Sequence, residues 1–384
     1  MKRKFQYLFV WLVLIFVQLF IPPSFAGKKN LYIGTGGKNA EGIYRAVFDQ
    51  SSGHFSDLIL AAKIGTPGFL AFHPQKNILY AVARWPKQAG VIGYKISETG
   101  DLDEFTRIAC SDGMGCHLSV HPSGKFLLTA QYGSGSVGFF PLDKEGRLLE
   151  AVIHKHSGGS KVFQNRQNSP HPHWCGYSPC GNFALVPDLG LDRIVIYKIH
   201  QDHTKITVHT EAHCFPGGGP RHMKFSPNEK YIYLLNELSL AVESFFWNSH
   251  SGRATSLFTV PTLSDREKEA ETFNSAAEIL VHPSGKWVYS SNRGHDSVTV
   301  FEAKEDGSLR VIQKQPIRGA FPRNINFSPN GQWLLAAGQD SNTISAHRID
   351  SKSGKLTYQK GSVINAPNPI CLIFPNKIFS QKNQ

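Results

Sequence analysis

Glu278-Ile-Leu-Val-His-Pro-Ser-Gly-Lys-Trp-Val-Tyr-Ser-Ser-Asn-Arg-Gly-His-Asp-Ser-Val-Thr-Val-Phe301 is one written-out copy of a phrase that recurs along the chain. Three short apolar runs rich in β-branched and aromatic residues, 279–281, 287–289 and 298–301, read as strands rather than helices. The first connection, His282-Pro-Ser-Gly-Lys, has the chemistry of a tight turn, with Pro presetting φ and Gly supplying a backbone shape other residues avoid. The second, Asn292-Arg-Gly-His-Asp-Ser, is longer and more polar than a turn needs. One end of the unit is therefore structural, and the other is the place for chemistry.

Aligned on the turn proline, Phe72-His-Pro74, Val120-His-Pro122, Tyr177-Ser-Pro179, Phe225-Ser-Pro227, Val281-His-Pro283 and Phe327-Ser-Pro329 follow one another at 48, 57, 48, 56 and 46 residues. Six copies at that period, with about four short strands each and no helical pattern between them, predict β-propeller blades. The ends supply one more blade: 30–34 and 42–48 lack an innermost strand, and 369–374 is an innermost strand with nothing after it. The expected fold is all-β, a seven-bladed propeller closed by pairing the N- and C-terminal strands in one blade. An open solenoid or a pair of sandwiches would leave long sheet edges unprotected.

Residues 1–26 stand apart from this pattern. Lys2-Arg-Lys4, an apolar core over 5–21 and Pro22-Pro-Ser-Phe-Ala26 before Gly27 read as a secretory signal, with an uncleaved membrane anchor as the alternative. An exported protein with one propeller domain over 27–384 is expected, without stable membrane insertion once the signal is removed. Of the formal charge of +12, the signal carries three cations, leaving +9 on the remainder. That excess favours anionic partners. No helix-turn-helix, zinc-finger or aromatic-interleaved basic motif points to nucleic acid, and no exposed apolar stripe argues against a monomer. The six cysteines read as buried small residues; Cys175 and Cys180 are the pair to bridge if any does.

In a propeller, the start of each innermost strand and the loop after each second strand meet at one mouth of the central channel. The strand starts supply His117, His173, Arg221, Glu278 and Arg323; the loops supply Gln131, Asp188, Glu237, Arg293 with His295, and Gln339 with Asp340. Arginines present planar donor forks to carboxylate or phosphate oxygens. A carboxylate or imidazole that can take a proton from water, beside a cation that can hold an oxyanion, is the minimum for ester hydrolysis. The histidines of His73-Pro, His121-Pro and His282-Pro belong to the opposite, structural end.

Arg166-Gln-Asn-Ser-Pro-His-Pro-His173, Pro187-Asp-Leu-Gly-Leu-Asp-Arg193, Gly217-Gly-Gly-Pro-Arg-His222, Asn236-Glu-Leu238, Ala276-Ala-Glu-Ile279, Ser291-Asn-Arg-Gly-His-Asp-Ser297, Phe321-Pro-Arg323 and Gln339-Asp-Ser341 occur in order along the chain. Together they resemble the lactonase family of seven-bladed propellers, which includes cycloisomerase-type 6-phosphogluconolactonases and fungal carboxy-muconate lactonizing enzymes. The resemblance implies a metal-independent site in the funnel, with the catalytic group falling on His173, Arg221, Glu237 and Arg293. Some other propeller lactonases hold calcium at the channel, but calcium wants six or more oxygen ligands, and arginines dominate this mouth. No metal or cofactor is expected. Two departures, Ile33-Gly-Thr-Gly-Gly and Ala83-Arg84, bear on substrate identity.

The leading expectation is hydrolysis of a sugar-derived, anionic small-molecule lactone. Glu237 or His173 activates water, Arg221 holds the oxyanion, and Arg293 with Arg323 grips the anionic group. His171, Glu278, His295 and Gln339 are further substrate contacts. The alternatives are the cyclising reaction on an unsaturated dicarboxylic acid, and a non-catalytic exported propeller that binds an anionic glycan or protein.

Overall fold

Apolar runs without alternation suit strands buried on both faces, and the second strand of each blade shows this. Phe126–Gln131, Phe183–Asp188, Trp287–Arg293 and Trp333–Gly338 are buried along their whole length. Outer strands such as Arg253–Pro261 are largely exposed. The computed structural model describes residues 27–37 and 39–375; the segment read as an export signal lies outside the described residues. Seven four-stranded antiparallel sheets stand around an axis. In chain order, blade 1 spans 65–109, blade 2 117–155, blade 3 176–213, blade 4 220–261, blade 5 275–316 and blade 6 322–365. Blade 7 takes its inner strand, Pro369–Ile373, from the C-terminal side and Lys28–Lys63 from the N-terminal side, with Ile33 opposite Leu372. The ring closes as the sequence predicts.

Adjacent blades are joined by two repeated polar straps as well as by apolar packing. On one, the His-Pro turns grip the next blade: His73 Nε2–H donates to the Gly124 carbonyl at 3.2 Å, His121 to Gly181 at 3.0 Å and His282 to Gly331 at 3.1 Å. Each Nδ1 accepts a backbone N–H two residues on, which fixes the tautomer. These histidines are structural, as expected. On the other, an aromatic side chain of a second or inner strand donates to the turn before the outermost strand of the next blade. Tyr80 reaches Gly146 O at 2.5 Å, Tyr289 reaches Gly354 O at 2.7 Å, and the Trp333 indole reaches Gln50 O at 2.8 Å across the closing seam. Gly354 must be glycine twice over, since its φ is +71° and a Cβ would stand 2.4 Å from the Trp287 ring.

One element departs from the all-strand reading. The stretch between blades 4 and 5 contains a short helix, Asp265–Glu269, started by a capping box in which Ser264 and Glu267 exchange hydrogen bonds.

Tyr289→Phe keeps the packing and leaves a buried carbonyl without its donor. It is expected to lower unfolding stability by about 1 kcal/mol, read by denaturant titration, without changing turnover.

Candidate active site

Two channel strands begin with a one-residue slip in register. Pro220 pairs with Asn236 and His222 with Leu235; Pro322 pairs with Gly338 and Asn324 with Ala337. The residues skipped are Arg221 and Arg323. A bulge re-aims the side chain it releases, and both guanidiniums are gathered at the mouth. In blade 5 the slip spans both Ala277 and Glu278. Ala277 takes the place of the two arginines, and its carbonyl accepts a hydrogen bond from Arg221 Nη1. Glu278 drops one layer deeper, where its carboxylate accepts from His222 Nδ1 at 2.9 Å and Asn324 Nδ2 at 2.7 Å. Glu278 is therefore not a mouth residue, contrary to the sequence reading.

The mouth is organised around Glu237, which follows the second strand of blade 4. Its Oε1 accepts from Arg166 Nη2 at 2.8 Å; its Oε2 accepts from Arg221 Nε at 2.8 Å and lies 3.2 Å from Arg293 Nη2. Burial alone would raise this carboxyl, but the Arg293 and Arg221 charges, with the Arg166 hydrogen bond, outweigh it and hold the group well below the usual carboxylate range. Arg293 also donates to Ala276 O at 2.9 Å and lies over the Phe321 ring. Burial, with Arg221 and Arg323 beside it, lowers its guanidinium to about 9, still charged at neutral pH. Arg323 has no ion-pair or hydrogen-bond partner among the described residues; burial and the Arg221 charge lower it to about 10. Four guanidiniums thus face one carboxylate.

His173 completes the group. Its backbone N–H donates to Pro187 O at 3.1 Å, and its ring packs against Tyr132 and His222 at 5.4 and 5.2 Å. Burial first, then Arg221 and His222, pushes its imidazole well below the ordinary value, so it is neutral at physiological pH. Cys116 Sγ lies 3.9 Å from His173 Nδ1, but burial pushes that thiol up to about 11 and keeps it protonated.

The remaining expected residues are nearby but outside this contact network. His171 stacks on Tyr132 and donates from Nδ1 to the Tyr132 carbonyl at 2.7 Å, which leaves Nε2 as its acceptor. His295 is tied to Ser297 Oγ and to Asn274, and Gln339 has a buried Oε1 without a partner. Asp188 is a structural cap, with Oδ1 accepting from His171, Gly190 and Leu191 N–H groups and Oδ2 paired with His156. Sequence reasoning missed Arg166 and Tyr132, whose hydroxyl accepts from Arg166 at 3.3 Å. The only hint was the place of Arg166 at the head of the motif that ends in His173.

Below the mouth, Phe69 of blade 1 and His222 of blade 4 come within 6.2 Å across the axis, with His117 against both at 4.1 and 5.4 Å. These rings pack against one another in the channel, and the mouth forms a cup above them. All six cysteines are free, with Cys175 buried and Cys180 exposed. Among the described residues no cluster of three His, Cys, Asp or Glu side chains is arranged to share a cation, and no helix is long and apolar enough to cross a membrane.

This fold and cup define the class: the chain belongs to the lactonase family of seven-bladed β-propellers, whose model matches residues 30–374. Among similar proteins, the 6-phosphogluconolactonase of Bacillus subtilis (strain 168) is 33% identical over 352 residues, covering 90% of this chain and 98% of its own. A 6-phosphogluconolactonase of Formosa agariphila is 32% identical over 337 residues, covering 85% and 94%. The solved structure of a Pseudomonas aeruginosa periplasmic gluconolactonase superposes with a TM-score of 0.83 at 26% identity, covering 91% and 99%.

His117, His173 and His222 are all held well below the ordinary imidazole value of 6.5, burial being the main cause in each. The unfolded chain therefore binds more protons than the folded one over this range. Stability should be complete above about pH 7 and fall as pH drops through 6.5 toward the folded values. Denaturant midpoints measured from pH 8 to 4 check this; the Glu237 carboxylate, also held low in the fold, adds a further loss that begins as pH falls through its ordinary 4.5 and continues below it.

Proposed function

We propose that the cup hydrolyses a sugar-derived lactone carrying a negative charge. The observation that carries this reading is the imbalance at the mouth: Arg166, Arg221, Arg293 and Arg323 face the single Glu237 carboxylate, beside the neutral imidazole of His173. The names borne by similar proteins, 6-phosphogluconolactonase and gluconolactonase, favour a cyclic ester of a sugar acid as the substrate. The signal-like 1–26 segment and the periplasmic placing of one relative favour action outside the cytoplasm.

Of the two candidate bases, the contacts favour His173. Both Glu237 oxygens are occupied by guanidinium donors, and a carboxylate so stabilised is a poor proton acceptor. Glu237 instead fixes the arginines. His173 takes a proton from water as the oxygen attacks the lactone carbonyl carbon. The ring C–O bond then breaks, and the imidazolium returns its proton to the departing alkoxide, giving the open hydroxy acid. Two of the three Arg221 nitrogens are held, Nε by Glu237 and Nη1 by Ala277 O, which leaves Nη2 to meet the developing oxyanion. Arg323, without a protein partner, grips the anionic group of the substrate. The reaction is read as metal-independent because the buried mouth carboxylate, Glu237, is already neutralised by cations.

Arg221→Lys should lower kcat and kcat/KM together by two to three orders of magnitude, roughly the loss of one oxyanion donor. Arg323→Ala should mainly raise KM for a charged lactone, leaving turnover at saturation nearly unchanged. A pH-stat assay on phosphorylated and unphosphorylated aldonolactones measures both, and an Arg221→Lys enzyme with undiminished turnover would eliminate the assignment. The rate should show no acid limb near 6.5, because burial holds His173 well below that value; a limb there would count against His173 as the base. Exhaustive chelation should leave full activity, and its loss would demand a metal.

A further inference from the structure

Asp192 has no part in the chemistry above, yet two separate segments of the mouth converge on its carboxylate through three hydrogen bonds. It lies in the turn between the second and third strands of blade 3, buried, with the left-handed backbone (φ +51°) that few non-glycine residues adopt. Its Oδ1 accepts from Gln167 Nε2 at 2.6 Å and from the Gly219 N–H at 2.9 Å, and its Oδ2 accepts from the Gly217 N–H at 2.7 Å. Gln167 adjoins Arg166, and Gly219 stands two residues before Arg221. The Gly219 carbonyl in turn accepts the backbone N–H of Glu237 at 2.7 Å, and the Gly218 carbonyl accepts that of Leu238 at 3.0 Å.

We infer that Asp192 is a positioning residue for the lactone site proposed above, and the inference rests on that reading for its functional consequence. One carboxylate sets three arms against one another: the interblade loop that carries Arg166, the crossing that leads to Arg221, and, through the single residue Gly219, the backbone of Glu237. Those arms end in the Arg166–Glu237 and Arg221–Glu237 contacts, both at 2.8 Å. Gln167 is committed to the same task, since its Oε1 accepts the Phe163 N–H at 2.9 Å and closes the loop on itself. The glycines are part of the device: Gly217 and Gly219 have φ of +74° and +69°, and a Cβ on Gly219 would stand 2.5 Å from the Leu238 side chain. Asp188, four residues earlier, spends two of its hydrogen bonds on capping its own turn. Asp192 spends all three of these on segments that hold the mouth.

Asp192→Asn is nearly isosteric but sets an amide NH₂ against an N–H donor, so one arm must let go. The expected loss in kcat/KM is about 10²-fold, the scale of a 1 Å misplacement, borne mainly by kcat. A cycle with Arg166→Ala should be strongly non-additive, the double variant losing little more than the worse single, because both break the same constellation. A structural role alone would lower the melting temperature and leave the two losses multiplicative, which would overturn the assignment. The crystal structure of Asp192→Asn decides the geometry independently of turnover: the Arg166–Glu237 or Gly219–Glu237 distance should lengthen, and unchanged distances would refute the inference. Should Asp192→Asn fail to fold, Gln167→Ala severs only the Arg166 arm. It is expected to free Arg166 from Glu237, and an intact contact there counts against the proposal. A wild-type protein inactive on every lactone would remove the catalytic reading, while the two variant structures would still decide whether Asp192 positions the mouth.

Discussion

Every blade of this propeller depends on burying both faces of its inner strands against its neighbours. Strands such as Phe183–Asp188 and Trp333–Gly338 are buried from end to end, a state no single twisted sheet can provide. Packing between blades supplies the covering surface, and the Tyr80, Tyr289 and Trp333 donors lock it in register, since each finds its acceptor only in the adjoining blade. The ring is thus a cooperative unit in which stability resides at the seams.

Seams also make the cup possible. A cluster of like-charged guanidiniums is self-repelling, and burial adds a desolvation cost to each. Glu237 offsets both by meeting three of them at once, and it can do so because Arg166, Arg221 and Arg293 come from different parts of the ring that the seams hold in place. The same rigidity keeps His173 dry and neutral beside them. Preorganised cations around an uncharged imidazole are suited to a reaction in which charge appears only on the way to the transition state.

Much of this was legible in the chain. The Pro turns gave the period, and the orphan strands at 30–34 and 369–374 gave the closing blade, because turn chemistry and strand patterning are local. Blade geometry placed His173, Arg221, Glu237, Arg293 and Arg323 at one mouth. Glu278 was misjudged because the slip in blade 5 leaves two residues, Ala277 and Glu278, opposite Ser291 alone, and the run Ser275-Ala-Ala-Glu278 carries no trace of it. Arg166 escaped because the loop that carries it occupies no repeated position in the blade. The short helix was in plain view as Ser264-x-x-Glu267, but five residues are too few to show a helical pattern between blades. The tyrosine straps and their glycines were invisible for another reason: each pairs residues some 65 apart, so neither partner is exceptional in its own neighbourhood.

The composite blade has a temporal meaning. A chain made from its N-terminus is an open arc until the strand Pro369–Ile373 emerges and zips onto Lys28–Thr35. Until that moment blade 7 lacks its inner strand and the seam beside Trp333 lacks its full cover. The ring that holds the cup is therefore unclosed in any chain that has not yet reached Pro369–Ile373, although every cup residue precedes that strand.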